Sequence, residues 1–290
     1  MRRVTGVLAT LLLGTGAMPG CGGSAATSAP PASVAAASAE EEDATAGLFE
    51  HHRHHHHGGV TLLIAMSLDT LGLSPEQKPA VEKIRGELHA RMEPARAAEQ
   101  NLVATLADGL AAGTVDPAKV DAAVAQLTSA AAMVHDASTD ALNQLHAVLT
   151  PPQRAALVDK LEAHWSVWQK ANTDENGHLA QLTEELGLTP DQVEKIRASQ
   201  AEGMKAIPRF DPQEVSAHIR AFGDAFRTPA FDAKALTGGG AATAHMVGWG
   251  GAHMARFIES ASPVLTPEQR GKLAQMLRQH AAHNPSANGG

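Results

Sequence analysis

The chain of 290 residues has no tyrosine, three tryptophans, six phenylalanines and one cysteine, Cys21. With Cys21 spent at an export junction, no thiol is left for a disulfide, for thiolate catalysis or for a cysteine-based metal site. Strand-type alternation is nearly absent while alanine is abundant, and the expected fold class is all-α. Signatures of catalysis are missing too. There is no Walker loop, nucleophile elbow or dinucleotide fingerprint, and Gly238 to Gly240 are not followed by a phosphate-binding pattern. No enzyme and no required cofactor are expected. Basic residues are outnumbered, 23 Lys and Arg against 31 Asp and Glu, and removal of Arg2 and Arg3 with a leader takes the net charge from −8 to −10. That acidity argues against a nucleic-acid partner.

The leader is read from Met1-Arg2-Arg3, an apolar stretch through Leu11-Leu12-Leu13, and small residues ending at Gly20-Cys21. Residues 1–20 are expected to be a signal peptide. Met18-Pro19-Gly20-Cys21 resembles a lipoprotein junction: the glycine fits it, Met and Pro are atypical, and an ordinary cleaved leader is the alternative. Lipidation of Cys21 would make the protein a periplasmic, membrane-anchored lipoprotein, held by lipid only. Residues 22–47 are rich in Ala, Ser, Pro and Gly and carry the acidic run Glu40-Glu41-Glu42-Asp43 near their end. Residues 21–58, with a histidine-rich run, are expected to be a disordered, flexible tether.

Four copies of one phrase organise the remainder. They are Leu73-Ser74-Pro75-Glu76-Gln77, Leu149-Thr150-Pro151-Pro152-Gln153, Leu188-Thr189-Pro190-Asp191-Gln192 and Leu265-Thr266-Pro267-Glu268-Gln269. The first and third are 115 residues apart, the second and fourth 116. Val81-Glu82-Lys83-Ile84-Arg85 returns as Val193-Glu194-Lys195-Ile196-Arg197. A fixed period of this kind indicates a duplicated module, with boundaries expected at 59–172 and 173–285 and a tail over 286–290. Physically each phrase starts a helix: Ser or Thr at N-cap, Pro at the first helical position, and Gln closing a capping box.

In these phrases the chain resembles the Spy/CpxP family of periplasmic proteins, with its zinc-associated ZraP and metal-sensing CnrX branches. The resemblance covers roughly residues 60–283. It implies two all-helical family modules in tandem, which we expect to pack as an intrachain pseudo-dimer because family members form antiparallel dimers. Two separate beads on a linker are the alternative. It also implies ATP-independent binding of unfolded or misfolded envelope proteins, or restraint of an envelope-stress sensor kinase. One departure is the overall acidity, where Spy-like members carry basic binding faces. Local basic patches could come from Lys83, Arg85, Arg91 and Arg96, and from Lys195, Arg197 and Lys205.

Apolar residues recur at helical spacing through Val81, Ile84, Leu88 and Met92, then Leu102, Val103, Leu106 and Leu110. Pro94 and Pro212 are expected to kink or restart their helices. Asp116-Pro117 starts a third run, and Phe231-Asp232 starts its counterpart leading to Ile258. Trp165, Trp168, Trp249, Phe222, Phe226, Phe257, Met246 and Met254 are expected chiefly in the core, with a client-binding surface as the second reading.

The conspicuous chemical feature is His51, His52, His54, His55, His56 and His57, six imidazoles in seven residues. They offer nitrogen ligands for Zn, Ni or Cu, either in metal buffering, resistance or sensing, or as an incidentally sticky tether. The other histidines are scattered and are expected at polar helix ends, where cationic groups suit the dipole.

Overall fold

The computed structural model describes residues 58–171, 175–207 and 209–282. Nine α-helices run through them: α1 (Gly59–Ser67), α2 (Lys78–Ala112), α3 (Pro117–Val148), α4 (Pro151–Ala171), α5 (Glu175–Leu186), α6 (Pro190–Gly203), α7 (Pro212–Arg227), α8 (Gly239–Ala261) and α9 (Pro267–Ala282). No strand occurs among the described residues, so the all-α expectation holds.

Core positions follow the apolar periodicity. Val81, Ile84, Leu88, Met92, Leu102, Leu106 and Leu110 on α2 are all buried, as are Leu127, Leu142 and Leu145 on α3. α1 is apolar on every side. Val60, Leu62, Leu63, Ile64 and Ala65 are all buried, because this helix packs against α2, α3, α4 and α8. A helix of that composition has no polar face to offer water, so it lies at the centre.

Helices of the two halves interlock. α2 packs on α9, α4 on α7, and α3 on α8. Each of these three contacts carries an ion pair of the same polarity. Arg278 donates to Asp108 at 2.7 Å, Arg227 to Asp159 at 2.6 Å, and Arg256 to Asp121 at 2.5 Å. In all three the arginine comes from the second half and the aspartate from the first.

Two expectations are corrected. Pro94 does not break its helix: α2 continues through it from Lys78 to Ala112, and the burial of Met92, Ala95 and Ala98 on either side holds it together. The corresponding stretch of the second half does break, into α6, a 3₁₀ turn over Met204–Ala206, and α7 beginning at Pro212. The helix leading to Ile258 starts at Gly239 rather than at Asp232. Asp232 caps only a 3₁₀ turn, accepting from the Lys234 N–H at 3.0 Å. No proline follows it, unlike Asp116-Pro117, and Gly238 sits at φ +87° immediately before the helix.

Candidate functional site

The four phrases meet in pairs. Thr189 and Thr266 each accept from the backbone N–H of their glutamine at 3.2 Å, and each glutamine side chain accepts from the cap N–H in return. Ser74 and Gln77 make the same two bonds, at 3.3 and 3.0 Å. Regular helix α2 nevertheless begins only at Lys78, since Pro79 has no N–H for the Pro75 carbonyl. The second copy is incomplete: Gln153 accepts from the Thr150 N–H, but the Thr150 hydroxyl also donates to Gln153 Oε1, at 3.0 Å. Leu149, Leu188 and Leu265 are buried and Leu73 is partly buried against the core.

Beyond capping, the glutamines bind one another. Gln77 Nε2 donates to Gln153 Oε1 at 2.8 Å, and Gln153 Nε2 donates back to Gln77 Oε1 at 2.9 Å. Gln192 and Gln269 do the same, at 2.8 and 3.2 Å. Each first glutamine also donates to a backbone carbonyl just before the second phrase of its pair, Val148 at the end of α3 for Gln77 and Val264 in the turn after α8 for Gln192. Glutamate could have capped but could not have donated. The signal in the sequence was that all four copies carry Gln.

Four histidines are buried, contrary to the expectation of polar helix ends: His135, His146, His164 and His218. His146 does lie in the last turn of α3, where its Nε2 meets the Thr228 carbonyl at 2.9 Å and Arg154 Nη1 at 3.0 Å. It also stacks on Phe231. His164 Nδ1 lies 3.4 Å from the Ser67 hydroxyl. Burial, with Lys160 adding to it, pushes its pKa down to about 4. His135 meets His218 edge-on, ring centroids 5.1 Å apart. Burial lowers both, His218 to about 4 with His135 contributing. These side chains serve the core because each finds a partner across a helix contact, which periodicity alone does not disclose. His245, by contrast, is exposed and paired with Glu214 at 2.6 Å.

Of the eight aromatic and methionine residues, Trp165, Trp168, Phe222, Phe226 and Met246 are buried. Trp249, Met254 and Phe257 are half-buried. Trp249 joins a cluster with Trp168 and half-buried Phe210, with centroids 5.3 to 6.0 Å apart, and carries His253 on its face at 3.9 Å. Phe210 and Trp249 bring aromatic surface to solvent here, as Phe231 and Phe257 do elsewhere. The basic positions are largely neutralised: Lys83, Arg85, Arg96, Lys195 and Lys205 each pair with a neighbouring carboxylate. Among the described residues Arg91 and Arg197 form no ion pair.

Cys21 and His51, His52, His54, His55, His56 and His57 lie outside the described residues. Among the described residues no group of three His, Cys, Asp or Glu could hold a metal ion, and no helix is long and apolar enough to cross a membrane.

Residues 27–156 match the family described as heavy-metal resistance. That family stands in the same superfamily as the Spy/CpxP, ZraP and CnrX proteins. The matched span includes the first two phrases with their Gln77–Gln153 pair, and it includes the histidine run. Residues 157–290, with the second pair of phrases, lie beyond it. No curated protein and no solved structure matches the chain.

Proposed function

We propose that this is a helical envelope protein of the Spy/CpxP type that holds unfolded or misfolded envelope proteins without ATP and without catalysis. The observation that carries this reading is the fourfold phrase, tied into two amide-locked pairs, on an all-helical scaffold of the heavy-metal resistance kind. The Trp168, Phe210 and Trp249 cluster supplies adaptable aromatic contact at its edge. Lipidation of Cys21 would anchor it to the membrane from the periplasmic side.

The chain is a tandem duplication in this reading, packed as an intrachain pseudo-dimer. Support comes from reciprocity: the first half's α2 lies on the second half's last helix, α9, while α7, counterpart of the later part of α2, lies on the first half's last helix, α4. The arginine-to-aspartate polarity favours pairing of unlike halves, because a pair of first halves would lack all three arginines.

Metal handling is the second reading, favoured by the family match spanning His51 to His57. Zn, Ni or Cu would be bound there for buffering, resistance or sensing. Restraint of a sensor kinase is the third, resting on the family resemblance alone.

The deciding experiment is light scattering of a chemically denatured client diluted into buffer with the mature protein. It is run with and without Zn, using wild type and a deletion of residues 51–57. Suppression by both forms without metal supports client holding. Suppression by neither, or only by wild type with metal, overturns it in favour of metal handling.

A further inference from the structure

We propose that α7 is a cover that lifts in acid, when His135 and His218 repel each other, and that the apolar surface this exposes takes unfolded polypeptide. The identity of that occupant rests on the client-holding reading; the opening does not.

Helix α7 is built to move as a unit. It is joined to α6 through a 3₁₀ turn and a non-helical stretch ending at Asp211, and to α8 through residues 228–238. Lifting it breaks no helix. The first half carries one continuous helix at the matching place, α2, and has no such joint. The inward face of α7 consists of Val215, His218, Ile219, Phe222 and Phe226, all buried. Phe222 and Phe226 stack at 5.0 Å, and Phe231 closes edge-on against Phe226 at 4.9 Å.

What holds the cover down is partly neutral and partly ionic. Trp165 Nε1 on α4 donates to the Ser216 hydroxyl at 2.8 Å, and Arg227 reaches Asp159. Gly223 lets α7 approach α4 so closely that a Cβ there would lie 2.6 Å from Val158 Cγ1.

The contact between His135 and His218 is the part of the seat in which two imidazoles face each other, and acid turns it against the cover. A third buried imidazole, His146, lies at the far end of α7 against Phe226 and Phe231, beside Arg154. His135 Nε2 is buried and has no hydrogen-bond partner, and neither has the Ser138 hydroxyl one turn further along α3. A Cβ on Gly239, at the start of α8, would lie 2.6 Å from the His135 ring. The space is filled, and a second proton on His135 has no acceptor in it. The charged groups around the pair are few. Asp136 follows His135 on α3 and favours its protonated form, less strongly than burial opposes it. Glu214, one turn before His218 on α7, is engaged by His245 of α8. Lys234, in the segment after α7, pairs with Asp140 on α3.

The sign is fixed by the direction of these shifts. Both imidazoles are neutral while covered and regain an ordinary affinity for protons once released, so acid favours release. For His218 alone, between its ordinary 6.5 and about 4 when covered, the opening equilibrium at pH 5 rises about 30-fold. His135 adds to it. Release bares three phenylalanines and the Trp165 edge of α4, an apolar patch of several hundred Å² at about 150–250 Å² for each aromatic. Such a patch suits apolar segments of unfolded chains rather than a polar ligand.

The test compares pH 7 and pH 5 on the mature full-length protein. Hydrogen exchange of residues 212–227, corrected for intrinsic rate, is expected to quicken at least tenfold at pH 5 in wild type, to quicken less in His218→Gln and in His135→Gln, and to stay near its neutral value in the double variant His135→Gln/His218→Gln. Aggregation of a chemically denatured client is expected to be suppressed more strongly at pH 5. A Val158→Cys/Gly223→Cys cross-link, in a Cys21→Ser background, should abolish that gain and guards against variants that merely misfold. Unchanged exchange in α7, or equal loss of protection throughout α2 and α3, would overturn the inference while leaving client holding at pH 7 untouched. Opening without added client protection, or opening that ends in dimers by light scattering, would overturn the occupant and count against the client-holding function itself.

Discussion

Gln77 and Gln153 exchange two side-chain hydrogen bonds, 2.8 and 2.9 Å long, and each also accepts from the backbone N–H of its own cap residue. One residue type thus performs two tasks, starting a helix and joining it to the start of another helix 76 positions away. Gln192 and Gln269 repeat the arrangement in the second half.

Glutamate at these positions is the sharpest probe, since it retains the acceptor and loses the donor. Gln192→Glu is expected to destabilise the protein by about 1–3 kcal/mol, because Gln192 is buried and the Val264 carbonyl and Gln269 Oε1 would both face a carboxylate. A cycle of Gln192→Ala and Gln269→Ala in urea should show a coupling energy of about 1 kcal/mol. Additive effects would mean that the amide pair contributes nothing beyond the two caps.

Much of this architecture was legible in the sequence, and what was hidden has physical reasons. Helical class, the helix starts and the buried stripe of α2 follow from periodicity and capping chemistry, both local. The amide pairs, the buried histidines and the break after Gly203 depend on what lies across a contact. Pro94 and Pro212 illustrate the point. The proline in α2 is flanked by residues that a continuous helix buries, whereas Pro212 follows Asp211, which caps a new helix by accepting from the Gln213 N–H at 2.9 Å. The candidate site was less legible still. Histidines on a pattern of polar residues look like solvated ones until their partners, Ser67 for His164 and His218 for His135, are placed beside them.

Replacing Pro94 by alanine should stabilise the protein. Proline inside α2 cannot donate to the Ala90 carbonyl four residues earlier, and it is exposed, so nothing packs on its ring to offset the loss. The expected gain is about 1–3 kcal/mol, read as a higher urea midpoint at unchanged m. A loss would show that the ring shapes α2 in a way the packing requires.

The three cross-half arginine–aspartate pairs are at the surface, and each should contribute only about 0–1 kcal/mol. Charge reversal tests them more sharply than truncation does. Reversing one end, as in Asp121→Arg opposite Arg256, should cost more than Asp121→Ala. The restoring change Arg256→Asp should recover part of the difference, and 1 M salt should shrink it. Urea midpoints of the four proteins at two salt concentrations check this, and equal midpoints for Asp121→Ala and Asp121→Arg would refute it.

His164 should make its own contribution to pH dependence, separable from that of α7. Its imidazole is buried beside the end of α1, near the Ser67 hydroxyl, with Lys160 one turn away on α4. Folding holds the ring neutral, with its pKa lowered from 6.5 to about 4. The unfolded chain takes up the proton first as pH falls. Stability is therefore undiminished above pH 6.5, declines between 6.5 and about 4, and levels off below that. The full loss is about 3 kcal/mol. Glutamine at 164 keeps a polar group for Ser67 and removes the titration, so the variant's urea midpoint should fall less steeply over that interval than that of wild type. Parallel curves would mean that the proton is accommodated without cost and that the acid response of the fold belongs to His135 and His218 alone.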